Sequence, residues 1–144
     1  MLLVVDTSVL VGDLLRVKGR ERLRDPRLDL YLPEQMLAEA HVELPRRIRA
    51  FSESAGLNSN ERDALLMMSL QSIDNNVAVV GAEIYMPFGD EAHARCQRDP
   101  TDWPAVACAL ALSAAVWTND NDFLGTGVPT WTTQTLQSWL DRHE

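Results

Sequence analysis

The chain has 144 residues, a formal net charge of −8 and 46% hydrophobic residues. That length and apolar share support one domain with a real core; they exclude a disordered chain or a disulfide scaffold, and no apolar run is long enough to cross a bilayer. Cys96 and Cys108 read as free thiols of a reducing, cytoplasmic setting, and a first strand that opens without a charged leader gives no expectation of export.

Residues 2–5, Leu-Leu-Val-Val, form a buried-strand run that ends at Asp6. Thr7 or Ser8 is placed to cap a helix from Val9 to about Lys18, and the Arg-rich segment 16–27 is helical or a charged connector. Leu28–Leu32 is a second strand, stopped by Pro33. A long helix over Glu34–Ser52 follows, which Pro45 should kink or split. Ser59–Ile73 is another helix, with Asn58 and Glu61 spaced as a capping pair. Val77–Tyr85 reads as the third strand, and Glu83 within it suggests a sheet edge. Residues 86–101 are irregular apart from a short helix near Glu91–Gln97.

The apolar, alanine-rich stretch Trp103–Ala114 must be a helix covered on most sides. Ala115–Thr118 is the fourth strand and opens into Asp120 and Asp122. A brief fifth strand near Pro129–Thr132 and a helix over Thr133–Arg142 complete the chain. Strands alternating with helices predict an α/β, three-layer α/β/α architecture around a parallel sheet of four to five strands.

The acids fall at informative places. Asp6 ends the first strand, Asp120 follows the fourth, Asp102 opens the apolar helix, and Glu39 or Glu43 lies in the helix after the second strand. Alone, Asp6 and Asp102 could simply be helix caps, Asp120 and Asp122 a plain turn, and Glu39 a solvated helix residue. Together they would converge at the carboxyl ends of neighbouring parallel strands, where open α/β folds place their chemistry. Clustered carboxylates repel, and a hard divalent ion, Mg²⁺ or Mn²⁺, relieves that repulsion while retaining waters able to attack a phosphate. His41, His93 and His143 lack zinc-ligand spacing and read as surface residues.

Rival chemistries fail on residue type. A dehalogenase-type phosphoryl transferase wants a second Asp at position 8, where Ser8 stands. That class and the receiver class also use a late lysine, whereas Lys18 is the only lysine. The same lack, with too few glycines, excludes a P-loop enzyme. Charge is divided unevenly: residues 1–50 carry a balance of +1 and residues 51–144 one of −9.

Asp-Thr-Ser after the first strand, the acid in the helix after the second, Asp-Pro-Thr-Asp-Trp before the Ala-rich helix and Thr-Asn-Asp-Asn-Asp-Phe after the fourth strand resemble a PIN-domain ribonuclease, in the family's order. The nearest likeness is to the VapC-like toxin group. The resemblance implies an acidic site of Asp6, Glu39, Asp102 and Asp120, with Asp122 nearby, holding Mg²⁺ or Mn²⁺ to hydrolyse RNA. The family's acid lies about two turns beyond the strand end at Pro33, which selects Glu39 over Glu43. Ser8 and Thr118 are then candidate substrate or water contacts, and Arg46, Arg47 and Arg49 candidates for the RNA backbone. The likeness further implies an antitoxin protein as partner and a homodimer as an allowed form. A non-catalytic module of the same fold, binding RNA or protein, is the alternative.

Overall fold

The computed structural model describes residues 1–144. Its strands are β1 Leu2–Val5, β2 Asp29–Pro33, β3 Val77–Val80, β4 Ala115–Trp117 and β5 Thr130–Trp131. Its helices are α1 Thr7–Leu14, α2 Val17–Leu23, α3 Glu34–Ala55, α4 Ser59–Asn76, α5 Ala82–Tyr85, α6 Gly89–Arg95, α7 Trp103–Leu112 and α8 Thr133–Arg142. All strands are parallel, in the order β3-β2-β1-β4-β5, and helices flank the sheet in a three-layer α/β/α arrangement. No helix is long and apolar enough to cross a membrane.

The order of strands explains where chemistry can sit. From β1 the chain steps outward through β2 to β3, then returns across the sheet to β4 and continues to β5. The direction of winding therefore reverses between β1 and β4, which opens a crevice at their carboxyl ends. In β1 the run Leu3, Val4 and Val5 is fully buried, because helices cover both faces of a parallel sheet. Alanines along α7 let that helix pack closely, and Ala105 to Ala109 are buried without a break.

Local expectations met mixed outcomes. Asn58 and Glu61 form the capping box expected at the start of α4. Pro45 does not split α3, which runs unbroken; the carbonyl deprived of a partner belongs to His41, which is exposed to water. Helix α1 begins at Thr7 rather than Val9 and ends at Leu14, and the basic segment folds as the separate helix α2. The cap position of α1 is Asp6, not Thr7 or Ser8.

The expected third strand is cut short at Val80, and Glu83 lies in α5. Its partner β2 ends at Pro33, so pairing stops there. Beyond that point the apolar run serves another purpose. Tyr85 turns into the core, and its hydroxyl accepts a hydrogen bond from the Gln35 amide at 3.4 Å. β3 is nonetheless an edge strand.

The underside of the sheet is tied by a buried ion pair that no sequence pattern announced. Asp13 is 2% exposed. Arg22 donates from Nε to its Oδ2 at 3.1 Å and from Nη1 to Gln137 Oε1 at 2.9 Å, with the guanidinium 5.9 Å from the Trp117 ring centre. α1, α2, α8 and β4 thus meet at one arginine. Gly19 permits the approach, since a Cβ there would strike the Asp13 backbone. Replacing Arg22 by Ala strands a buried carboxylate and should cost about 3–5 kcal/mol, measured by urea unfolding. A loss below about 1 kcal/mol, the scale of a surface pair, would show that water solvates Asp13.

Candidate metal centre

The site begins with the register of β1 against β4. Val5 lies beside Trp117, and the Asp6 amide donates to the Trp117 carbonyl at 2.9 Å. The next residue of each strand is then Asp6 and Thr118. Thr118 is buried, and its hydroxyl donates to Asp6 Oδ2 at 2.8 Å while accepting the Asp120 amide at 3.0 Å. One threonine therefore aims both strand-end acids. Ser8 Oγ approaches the same Asp6 oxygen at 3.4 Å. Thr118, a candidate substrate or water contact, is buried behind Asp6 and does not line the cavity described below.

The turn after β4 is anchored from below. Trp117 Nε1 donates to Thr133 Oγ1 at 3.0 Å, and Asn119 exchanges hydrogen bonds with Thr133, its Oδ1 accepting the Thr133 amide at 2.9 Å. Asp120 Oδ1 accepts the Asp122 amide at 2.9 Å and so turns the chain into a 3₁₀ segment over Asn121–Phe123.

Two acids at helix-cap positions do not act as caps. Asp6 precedes α1 and Asp102 precedes α7, yet neither side chain makes a capping hydrogen bond to its helix. Asp6 is spent on Thr118 and Ser8. Oδ2 of Asp102 is buried with no hydrogen-bond partner. An ionised oxygen in that state is costly unless a cation meets it.

A cavity of about 380 Å³ collects Asp6, Thr7, Ser8 and Val11 from the first turn, Glu39, Glu43 and Arg47 from α3, and Asp102 and Asp120. Both helix acids reach it. They differ in their partners: Glu43 pairs with Arg46 at 3.2 Å, whereas Glu39 has no basic partner. Arg47 alone of the three expected arginines lines the cavity. Arg49 lies in a groove against Arg62 and Asp63 of α4, away from the acids. Asp122 does not line the cavity. Asp99 does not line it either, but presents a carboxylate oxygen within 4.8 Å of those of Asp102 and Asp120. Asp99 was legible as part of Asp-Pro-Thr-Asp, but only the turn closed by its bonds to Thr101 brings it beside Asp102.

Electrostatics follow from this crowding. Burial, then Asp99, Asp6, Asp120 and Asp122, pushes Asp102 up to about 7. Burial and then Asp120 also raise Asp6, against the Thr118 bond that lowers it. Glu39 is raised by desolvation at the cavity wall and by Asp6, although its side chain still reaches solvent. The donors are all hard oxygens, one of them buried and unsatisfied, which suits a hard divalent cation and not a soft metal. His93 takes no part; its ring stacks on Trp103 with centres 4.7 Å apart.

A family model described as PIN domain matches residues 4–141. A comparison with curated proteins finds no match.

A raised carboxylate pKa means that the folded state holds the proton more tightly, so the stability it contributes is complete below the unfolded value and lost as pH rises through the folded one. For Asp102 that window runs from 3.8 to about 7. In chelator, the melting temperature of the wild type should fall more steeply across this window than that of Asp102→Asn, and the variant should melt higher at neutral pH. Parallel curves for the two proteins would mean that Asp102 ionises as an ordinary surface acid.

Proposed function

Because the chain belongs to the PIN-domain family, whose members are generally metal-dependent nucleases, we propose that it is an endoribonuclease dependent on Mg²⁺ or Mn²⁺. The observation that carries this reading is the convergence of Asp6, Glu39, Asp102 and Asp120 on one cavity at the switch point, with neither cap-position carboxylate making a capping hydrogen bond.

Asp6, Asp102 and Asp120 would hold the ion, with Asp99 close enough to share it. When bound, the ion would act as a Lewis acid and lower the pKa of a coordinated water. The chain supplies the rest. Thr118 and Ser8 fix the Asp6 carboxylate in one orientation, so little reorganisation is needed at the reaction. Glu39, facing the acids from α3 with a raised pKa, is placed to orient the attacking water and take its proton. On substrate binding Ser8 would turn its single hydroxyl hydrogen from Asp6 to a phosphate oxygen, leaving Thr118 to hold the carboxylate. Arg47 brings the one positive charge on the cavity wall, and its planar fork suits a phosphodiester.

The fuller reading is the toxin of a toxin–antitoxin pair, acting in the cytoplasm. An apolar groove formed by Leu15 and Val17 with Phe51, Leu57, Leu65 and Met68 supports a protein partner, an antitoxin or a second copy.

Asp6→Asn and Asp102→Asn should each reduce cleavage of an unpaired RNA at least about a hundredfold, on the scale of a lost transition-state stabiliser, with native circular dichroism. Glu39→Gln should cost far more than Glu43→Gln. Full cleavage by both aspartate variants would overturn the site, and the reverse order of the glutamates would exchange their roles.

A further inference from the structure

An acidic cavity that admits an RNA strand must offset the repulsion between its carboxylates and each incoming phosphate. After position 50 the chain holds only four basic residues, Arg62, Arg95, Arg98 and Arg142. Arg62 lies beside Asp63 on α4. Arg95 is occupied by Glu91 at 2.9 Å and by the Thr126 carbonyl at 3.0 Å.

Arg98 is different. It immediately precedes Asp99, and its Nη1 donates to the carbonyl of Asn121 at 2.9 Å, one residue beyond Asp120. Its side chain therefore bridges the two segments that supply Asp99, Asp102 and Asp120. It is exposed, and it forms an ion pair with none of those acids. A single neutral acceptor holds the guanidinium in place, and its other N–H groups have no protein partner. No acid neutralises this guanidinium, although its neighbour in sequence and the turn it is bonded to both carry acids of the cluster.

Arg47 and Arg98 stand on segments that flank the acids from different directions. Arg47 stands on α3, which follows β2, and Arg98 is bonded to the turn that follows β4. β2 and β4 are the two neighbours of β1. A strand crossing the end of β1 would meet a cation on each side of the acids.

We propose that Arg98 is a substrate-binding residue that holds a backbone phosphate flanking the bond to be cut, beyond the cavity whose wall carries Arg47. The inference rests on the ribonuclease reading above. It assigns to this arginine the binding of an unpaired RNA strand, and only a supporting part in holding the two acidic segments together.

Arg98→Ala, Arg98→Gln and Arg98→Lys separate charge from bracing. Gln retains a polar N–H donor but has no charge, and Lys retains the charge. With a short unpaired RNA and Mn²⁺ in a salt series, Ala and Gln should both raise KM about tenfold, the scale of one lost hydrogen bond to a charged group, with kcat nearly unchanged. Both should flatten the slope of log(1/KM) against log salt by about 0.7, one phosphate contact to a single strand. Lys should keep the wild-type slope. Mn²⁺ affinity, measured calorimetrically without RNA, should not weaken in any of the three.

Wild-type KM in Arg98→Gln, or weaker Mn²⁺ binding in Arg98→Ala, would overturn the proposal by showing that Arg98 only braces the acidic segments. Wild-type behaviour of Arg98→Ala in an active enzyme would overturn it while leaving the ribonuclease reading intact. A wild-type protein that neither binds nor cuts RNA would remove both.

Discussion

The hydroxyl of Thr118 against the carboxylate of Asp6 is the contact on which the site depends. It exists because β1 and β4 pair in parallel with Val5 beside Trp117, leaving Asp6 and Thr118 as the next residues at the sheet edge. A slip of one residue would turn Thr118 to the other face, since side chains alternate along a strand. The full burial of Val116 and Trp117 guards against that slip. Core packing and acid placement are thus one constraint: the apolar residues that stabilise the sheet also set the distance between its two terminal acids.

The remaining acids reach the same place by other means. Asp102 is delivered by α7, whose small side chains let its first turn lie near the strand ends. Glu39 is delivered by α3, which continues unbroken past Pro45 and puts Glu39, Glu43 and Arg47 on one wall. Their charges then act on each other. Asp6 raises Glu39, and Asp99, Asp6 and Asp120 all raise Asp102. This is unfavourable for the bare protein and favourable for cation binding, a trade of stability for function often found at active sites.

Much of this was legible in the sequence because it is local. The run Leu2–Val5 ending at an acid, the alanine pattern of α7 and the capping box of α4 each depend on neighbours a few residues apart. The parallel sheet followed from the alternation of elements. What escaped depends on distant partners. β3 stops at Val80 because its partner stops at Pro33, and periodicity within residues 77–85 carries no sign of that. Asp99 replaces Asp122 in the tight carboxylate group because a turn closed on Thr101 directs it there. Arg46 and Arg49 share a segment with Arg47 but not a helix face, so a cluster of three in sequence supplies one cation to the cavity. Arg98 is isolated in sequence and becomes notable only through a bond spanning 23 positions.

The central claim is that these acids converge in order to hold a divalent ion. Anomalous scattering from crystals grown in Mn²⁺ tests it most directly. The account predicts a peak inside the cavity, about 2.0–2.3 Å from carboxylate oxygens of Asp6, Asp102 or Asp120, as hard divalent ions take oxygen ligands. No peak in the cavity at saturating Mn²⁺, with Asp102 still lacking any partner for its buried oxygen, would contradict it.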